Sequence, residues 1–197
     1  MKLIALTGGI GSGKSVVAHV LQVMGYQVYD CDSRAKKLMV DDELVRQQLI
    51  EAFGKETYLA NGTINREHLS KSVFGNDVAL KRLNSIVHPA TSMDLGQWAM
   101  KQASEGASVA FVETALLRTA SLDQVVDGIW HVTAPDDVRI SRVMTRSGLS
   151  AEQVKARMKA QAAEDCIADG ESVIINDNDT ALLPQIVNLL NEVKQFI

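Results

Sequence analysis

Near the N-terminus the stretch Gly8-Gly9-Ile10-Gly11-Ser12-Gly13-Lys14-Ser15 has the spacing G-x-x-x-x-G-K-[ST]. These residue types in this order suit the holding of phosphate groups. Glycines at 8, 11 and 13 let successive backbone N–H groups point inward, through conformations that a side chain would obstruct. Lys14 is expected to bring an ammonium to the β- and γ-phosphate oxygens, and the Ser15 hydroxyl is the hard oxygen donor that Mg2+ prefers. Gly9, Ser12 and Val16 complete the expected nucleotide cradle.

A second set of residues could act on what the loop holds. Asp30 and Asp32 follow a short β-forming run, Tyr26-Gln27-Val28-Tyr29. Asp32 is a candidate to accept a proton from an attacking hydroxyl or to help position magnesium, and its alternative reading is an N-cap for a helix starting near Ser33. Arg139, Arg142 and Arg146 recur at spacings of three and four, which puts them along one helix face. After Ser147-Gly148-Leu149, the run Ser150-Ala151-Glu152-Gln153 reads as a capping box opening a second helix that carries Arg157 and Gln161. Such a basic hairpin beside a phosphate loop suits a lid over about 140–165, whereas alone it would read as a solvated charged face. Glu113 ends an apolar run, a position from which a carboxylate can hold magnesium through water, or simply face solvent. His19 and His131 have no partner in the pattern and read as structural, and the spacing around His88 leaves its role open.

The elements needed to position these groups are legible from periodicity. Leu3-Ile4-Ala5-Leu6-Thr7 leads into the glycine loop, and an amphipathic helix runs from about Lys14 to Met24, bringing its N-terminal dipole under the phosphates. Tyr26–Asp30, Ser108–Glu113, Gly128–Thr133 and Val173–Ile175 read as further strands, with Pro135 opening a helix after the fourth. A final helix with Pro184 near its first turn carries Ile186, Leu189, Leu190, Val193 and Ile197 on one stripe. From 33 to 106 strand-like runs largely disappear, leaving an insertion of roughly seventy residues, too long for a bare connection. In it Asn61-Gly62 marks a turn, Asn65 a helix cap and Pro89 the start of a new helix. The expected architecture is an α/β phosphate-loop kinase-type parallel sheet flanked by helices. Residues 1–32 and 107–197 form the nucleotide-binding core, which bears the arginine lid, and 33–106 form a helical subdomain for the acceptor.

Composition narrows the partners. The chain has 197 residues, a net charge of −4 and 46% hydrophobic residues. That is enough for one substantial core with a satellite. Wholesale nucleic-acid binding would leave a basic footprint, and no run approaches the ~20 apolar residues of a membrane span. Cys31 and Cys166 lack metal-ligand spacing, and no signal-peptide pattern opens the chain, so a cytoplasmic protein with free thiols is expected. Its oligomeric state is left open.

Three function classes compete. A regulatory GTPase would carry D-x-x-G and N-K-x-D, yet no D-x-x-G occurs and Asn176-Asp177-Asn178-Asp179 lacks the lysine. A nucleotide-binding module without turnover would need only the loop. A small-molecule kinase needs the loop, a base on the rim, a place for the acceptor and an arginine lid, and each has a candidate here.

The chain also resembles the dephospho-coenzyme A kinase family. The resemblance rests on Thr7-Gly8-Gly9-Ile10-Gly11-Ser12-Gly13-Lys14-Ser15, on Asp30-Cys31-Asp32 at the family's D-x-D, and on Leu83-Asn84-Ser85-Ile86-Val87-His88-Pro89. The lid stretch from Arg142 to Arg146, with Arg157 and Gln161, is similar as well. The resemblance implies transfer of the ATP γ-phosphoryl, with Mg2+, to the ribose 3′-hydroxyl of dephospho-CoA, the last step of coenzyme A biosynthesis; another nucleotide-like or small hydroxyl acceptor is the alternative. It implies Asp32 as base, Lys14 and Arg142 as catalytic cations, Arg142 and Arg146 on ATP, and Asp32, Lys36, His88 and Arg157 on the acceptor. Lys36 stands where the family commonly has arginine. Glu113-Thr114-Ala115-Leu116-Leu117-Arg118-Thr119 lacks the proline of the family's P-L-L-x-E and displaces its acid, and Glu171-Ser172 replaces its A-D.

Overall fold

The computed structural model describes residues 1–195, so Ile197 of the C-terminal stripe lies outside the described residues. The chain divides into two units, Met1–Asp30 with the chain from Ala99 onward, and Cys31–Trp98.

The first unit is built on β1 (Lys2–Thr7), β2 (Gln27–Asp30), β3 (Val109–Glu113), β4 (Gly128–Thr133) and β5 (Ser172–Ile175). All adjacent pairs are parallel, in the order β2-β3-β1-β4-β5. Helices α1 (Lys14–Val23), α6 (Asp136–Ser147), α7 (Ala151–Ala160) and α8 (Leu182–Gln195) complete it. Strand alternation sends Ile4, Leu6, Val109, Phe111, Trp130, Val132 and Ile174 to one face, where they pack with Val17, Ala18 and Leu21 of α1 and Ile186 and Leu190 of α8. Phe111 is central there, with the Trp130 ring 5.0 Å away and Tyr26 edge-on at 5.7 Å. Ala5, Ala110, Val112 and His131 point the other way and are also buried, as expected of a parallel sheet covered on both faces. This topology fixes the site. With β1 central and its neighbours β3 and β4 reached by crossovers, the carboxyl ends of the strands open onto a crevice where the loop after β1 lies.

The second unit is helical: α2 (Cys31–Asp41), α3 (Glu43–Phe53), α4 (Arg66–Val73) and most of α5 (Asp77–Ser104). Asp42 caps α3 by accepting from the Val45 amide at 3.0 Å, and Asn65 caps α4 by accepting from the His68 amide at 3.1 Å. Its apolar core is small, so polar contacts tie it together. The Arg46 guanidinium lies 4.1 Å from the Tyr58 ring and donates to the Val40 and Gly62 carbonyls, while the Tyr58 hydroxyl donates to Met39 O at 2.6 Å.

Two local expectations need correction. Pro89 does not begin a helix; it lies inside the single 28-residue α5. A proline removes one N–H bond from the helix ladder, and with buried Val87 before it and Leu95 after it, packing holds the remaining turns in register. Asp32 is also not a cap of a helix starting at Ser33, because α2 begins at Cys31 and Asp32 stands in its first turn. There a carboxylate is favoured by the helix dipole.

Candidate active site

The glycine loop leaves β1 and enters α1 through Gly13, whose φ of +97° and close approach to Asn176 exclude a side chain; a Cβ there would sit 2.0 Å from Asn176 Nδ2. Asn176 directly follows β5, is buried, and donates from Nδ2 to Ser12 O at 2.8 Å. Lys14 Nζ donates to the carbonyl of Gly8 at 2.6 Å, so the ammonium folds back over the loop that would surround a phosphate chain. Ser15 Oγ donates to Glu113 Oε1 at 2.7 Å. This brings the α1 hydroxyl and the β3 carboxylate together as two hard oxygen donors, a set that fits Mg2+ sharing its other positions with water and phosphate. The Ser12 hydroxyl is buried in the loop and, among the described residues, has no hydrogen-bond partner, a polar atom that a phosphate oxygen would satisfy. Val16 is exposed in the first turn of α1. Asp30 ends β2 directly opposite Glu113 in the sheet register.

Of the arginines on α6, Arg142 reaches the second half of the loop. Its Nη1 lies 3.4 Å from the carbonyls of Gly11 and Ser12, and its Nη2 donates to Asn178 at 2.5 Å and Asn176 at 3.3 Å. Asn178 takes a φ of +81° in the turn after β5, where Asp177 accepts from the Asp179 and Thr180 amides and so presents Asn178 to Arg142. Arg146 and Arg157 are exposed on α6 and α7, and the Ser150–Gln153 capping box that opens α7 is formed as expected. Arg139, on the helix face read as the lid, is buried. It is 5% exposed, donates from Nε to Ile10 O at 3.0 Å, and places Nη1 2.7 Å from Asp165. An arginine at the start of α6 is thus buried against the glycine loop and Asp165, so the solvated basic face is confined to the end of the helix.

The remaining candidates belong to the helical unit. Asp32 and Lys36 are exposed on α2, and His88 is half-buried in α5, where burial lowers its pKa. Lys36 also lines a cleft of about 680 Å³ with Arg66, Met39, Leu69, Val73 and Leu83. Its wall is mostly apolar, with two cations among the lining residues.

Sequence reasoning did not single out Asn176 or Asn178 as site residues, although the rule that ligands gather at the carboxyl ends of parallel strands points to the residues after β5. It also left His131 without a partner. That imidazole is fully buried, 3.1 Å from Glu171 through Nδ1 and 3.6 Å from Asp165 through Nε2. Glu164, nearby in sequence, is buried too. Burial opposes its charge, but hydrogen bonds from Thr119 and Arg118 outweigh it and leave its pKa below the ordinary value.

Comparison with known proteins agrees with this geometry. The dephospho-CoA kinase family model matches residues 2–182. A dephospho-CoA kinase of Porphyromonas gingivalis is 36% identical over 196 residues, covering 98% of this chain and 95% of that protein. Among solved structures, a Thermus thermophilus protein superimposes with a TM-score of 0.77 at 32% identity, covering 100% of this chain and 97% of that one. A dephospho-CoA kinase of Campylobacter jejuni shares the fold, with a TM-score of 0.72 at 24% identity over 99% and 98% of the two chains. With a glycine loop, a paired serine and carboxylate and a family match over nearly its whole length, the chain belongs to the dephospho-CoA kinase family.

Proposed function

We propose that the glycine loop binds ATP with Mg2+ and that its γ-phosphoryl passes to the ribose 3′-hydroxyl of dephospho-CoA. The chain is a phosphotransferase of coenzyme A biosynthesis, and the product of this step is coenzyme A. The reading is carried by one observation, the convergence of Lys14, Ser15 and Glu113 at the carboxyl ends of β1 and β3. Lys14 neutralises the β- and γ-phosphates, and Ser15 and Glu113 hold the magnesium, which when bound offsets charge on the transferring group. Gly8, Gly9, Gly11, Ser12, Gly13 and Val16 shape the cradle. Arg142, joined by Arg146, covers the phosphates from α6 and excludes water. Asp32 takes or orients the proton of the attacking hydroxyl. The helical unit holds the acceptor through Lys36 and His88, Arg157 also binds it, and the unit's apolar cleft suits the pantetheine arm. Small molecules are the partners, neither nucleic acid nor a membrane, and the cytoplasm is the compartment. Among the described residues no helix is long and apolar enough to cross a membrane.

The Asp32 assignment is tested with Asp32→Asn. Asparagine keeps the size and cannot take the proton, so kcat falls about 10²–10⁴-fold with folding and ATP affinity retained. Wild-type turnover would refute the assignment, and a larger loss in Asp30→Asn would move the role to that carboxylate.

A further inference from the structure

The first half of the glycine loop is gripped from behind by the segment that follows α7. Asp165 Oδ1 accepts from the Gly9 amide at 2.8 Å, Gln161 Oε1 accepts from the Ile10 amide at 3.0 Å, and Arg139 Nε donates to Ile10 O at 3.0 Å. Two consecutive amides and one carbonyl are thereby fixed by side chains from outside the loop. The approach is close: a Cβ at Gly9 would lie 2.1 Å from Arg139 Nη2 and 2.5 Å from Asp165 Oδ2, so a side chain there would displace both groups from their contacts. A carboxylate next to a triphosphate site would repel the ligand if unpaired, and Arg139 Nη1 at 2.7 Å from Asp165 cancels that charge. Behind Asp165 lies a row of polar groups: His131 Nε2 is 3.6 Å away, its other nitrogen is 3.1 Å from Glu171, and Glu171 pairs with Arg118 at 2.5 Å.

We propose that Asp165 and Gln161 are positioning residues for ATP. They fix the Gly9 and Ile10 peptide groups so that the second half of the loop, Gly11 to Ser15, presents its amides to the phosphates in one pre-set arrangement. Arg139, with the row His131–Glu171–Arg118 behind Asp165, keeps the carboxylate in place and electrically neutralised. A loop set before binding costs the ligand no ordering entropy, so losing the grip weakens phosphate binding and leaves the acceptor alone. Because Gln161 directly follows α7 and Asp165 comes shortly after it, the same contacts link the lid hairpin to the loop it covers.

The inference rests on reading the loop as the ATP site, and the experiment separates the two. Asp165→Ala and Gln161→Ala are assayed for KM of ATP, KM of dephospho-CoA and calorimetric Kd of MgADP, beside Lys14→Ala. Asp165→Ala raises the ATP KM and the MgADP Kd about tenfold, as loss of a hydrogen bond to a charged acceptor implies, with the dephospho-CoA KM within twofold of wild type. Gln161→Ala leaves no charge uncovered, so it folds even if Asp165→Ala does not, and it raises the same two constants severalfold. Unchanged MgADP affinity in Gln161→Ala or in folded Asp165→Ala overturns the inference, as does an equal shift in both KM values, which would mark a general scaffold. If Lys14→Ala also keeps wild-type MgADP affinity, it is the ATP site itself that is misassigned.

Discussion

Replacing Asp165 by asparagine should reproduce, at neutral pH, what acid does to the wild-type protein. His131 beside it, opposed by burial, and then Arg139 and the Gly9 amide hold the Asp165 carboxyl at about 2, against an ordinary 3.8. A carboxylate whose folded pKa is depressed adds stability that is fully present above the unfolded value and is lost as pH falls through the folded one. The difference is worth about 2 kcal/mol at pH 7 and at pH 4, and under about 1 kcal/mol at pH 2.5. The side chain is only 19% exposed, so solvent screening removes little of this. Asparagine mimics the protonated acid, leaving Arg139 buried without its counter-charge. Urea unfolding of wild type and Asp165→Asn, followed by circular dichroism at the three pH values, should show a gap that closes toward the acid end. A gap of the same size at pH 7 and pH 2.5, or none at pH 7, would refute the charge pairing as its source.

Lys14→Ala should abolish measurable turnover and greatly weaken ATP binding, since its ammonium sits where phosphate charge accumulates; near-normal activity would end the phosphate-loop account. Arg142→Ala should lower kcat more than it raises the ATP KM, and a pure KM effect would make it a ground-state contact. Glu113→Gln keeps a hydrogen bond for Ser15 but loses the charge, so the Mg2+ concentration for half-maximal rate should rise about tenfold or more, and an unchanged requirement would exclude Glu113 from the metal site.

Much of this molecule was legible because its signals are local. The strands and the helix after the loop follow from apolar runs and glycine punctuation, and the Ser150–Gln153 capping box was readable from spacing that fixes its own hydrogen bonds. What escaped depends on distant pairs. Nothing near Arg139 in sequence reveals that Asp165 faces it, and the partners of His131 come from positions 165 and 171, brought in by α7 and β5. Pro89 misled for the opposite reason: a strong local breaker was overridden by packing along α5. Glu113 stands between the two cases. Its place at a strand end was visible, and its partner Ser15 became apparent only when the sheet order set β3 beside β1.

The most direct measurement is acceptor-dependent ADP release, run with MgATP and either dephospho-CoA, AMP, adenosine or pantothenate, with mass spectrometry of the product. The account predicts ADP release that depends on dephospho-CoA and a matching yield of coenzyme A. ADP release that is indifferent to dephospho-CoA, or faster with another of these acceptors, would contradict it.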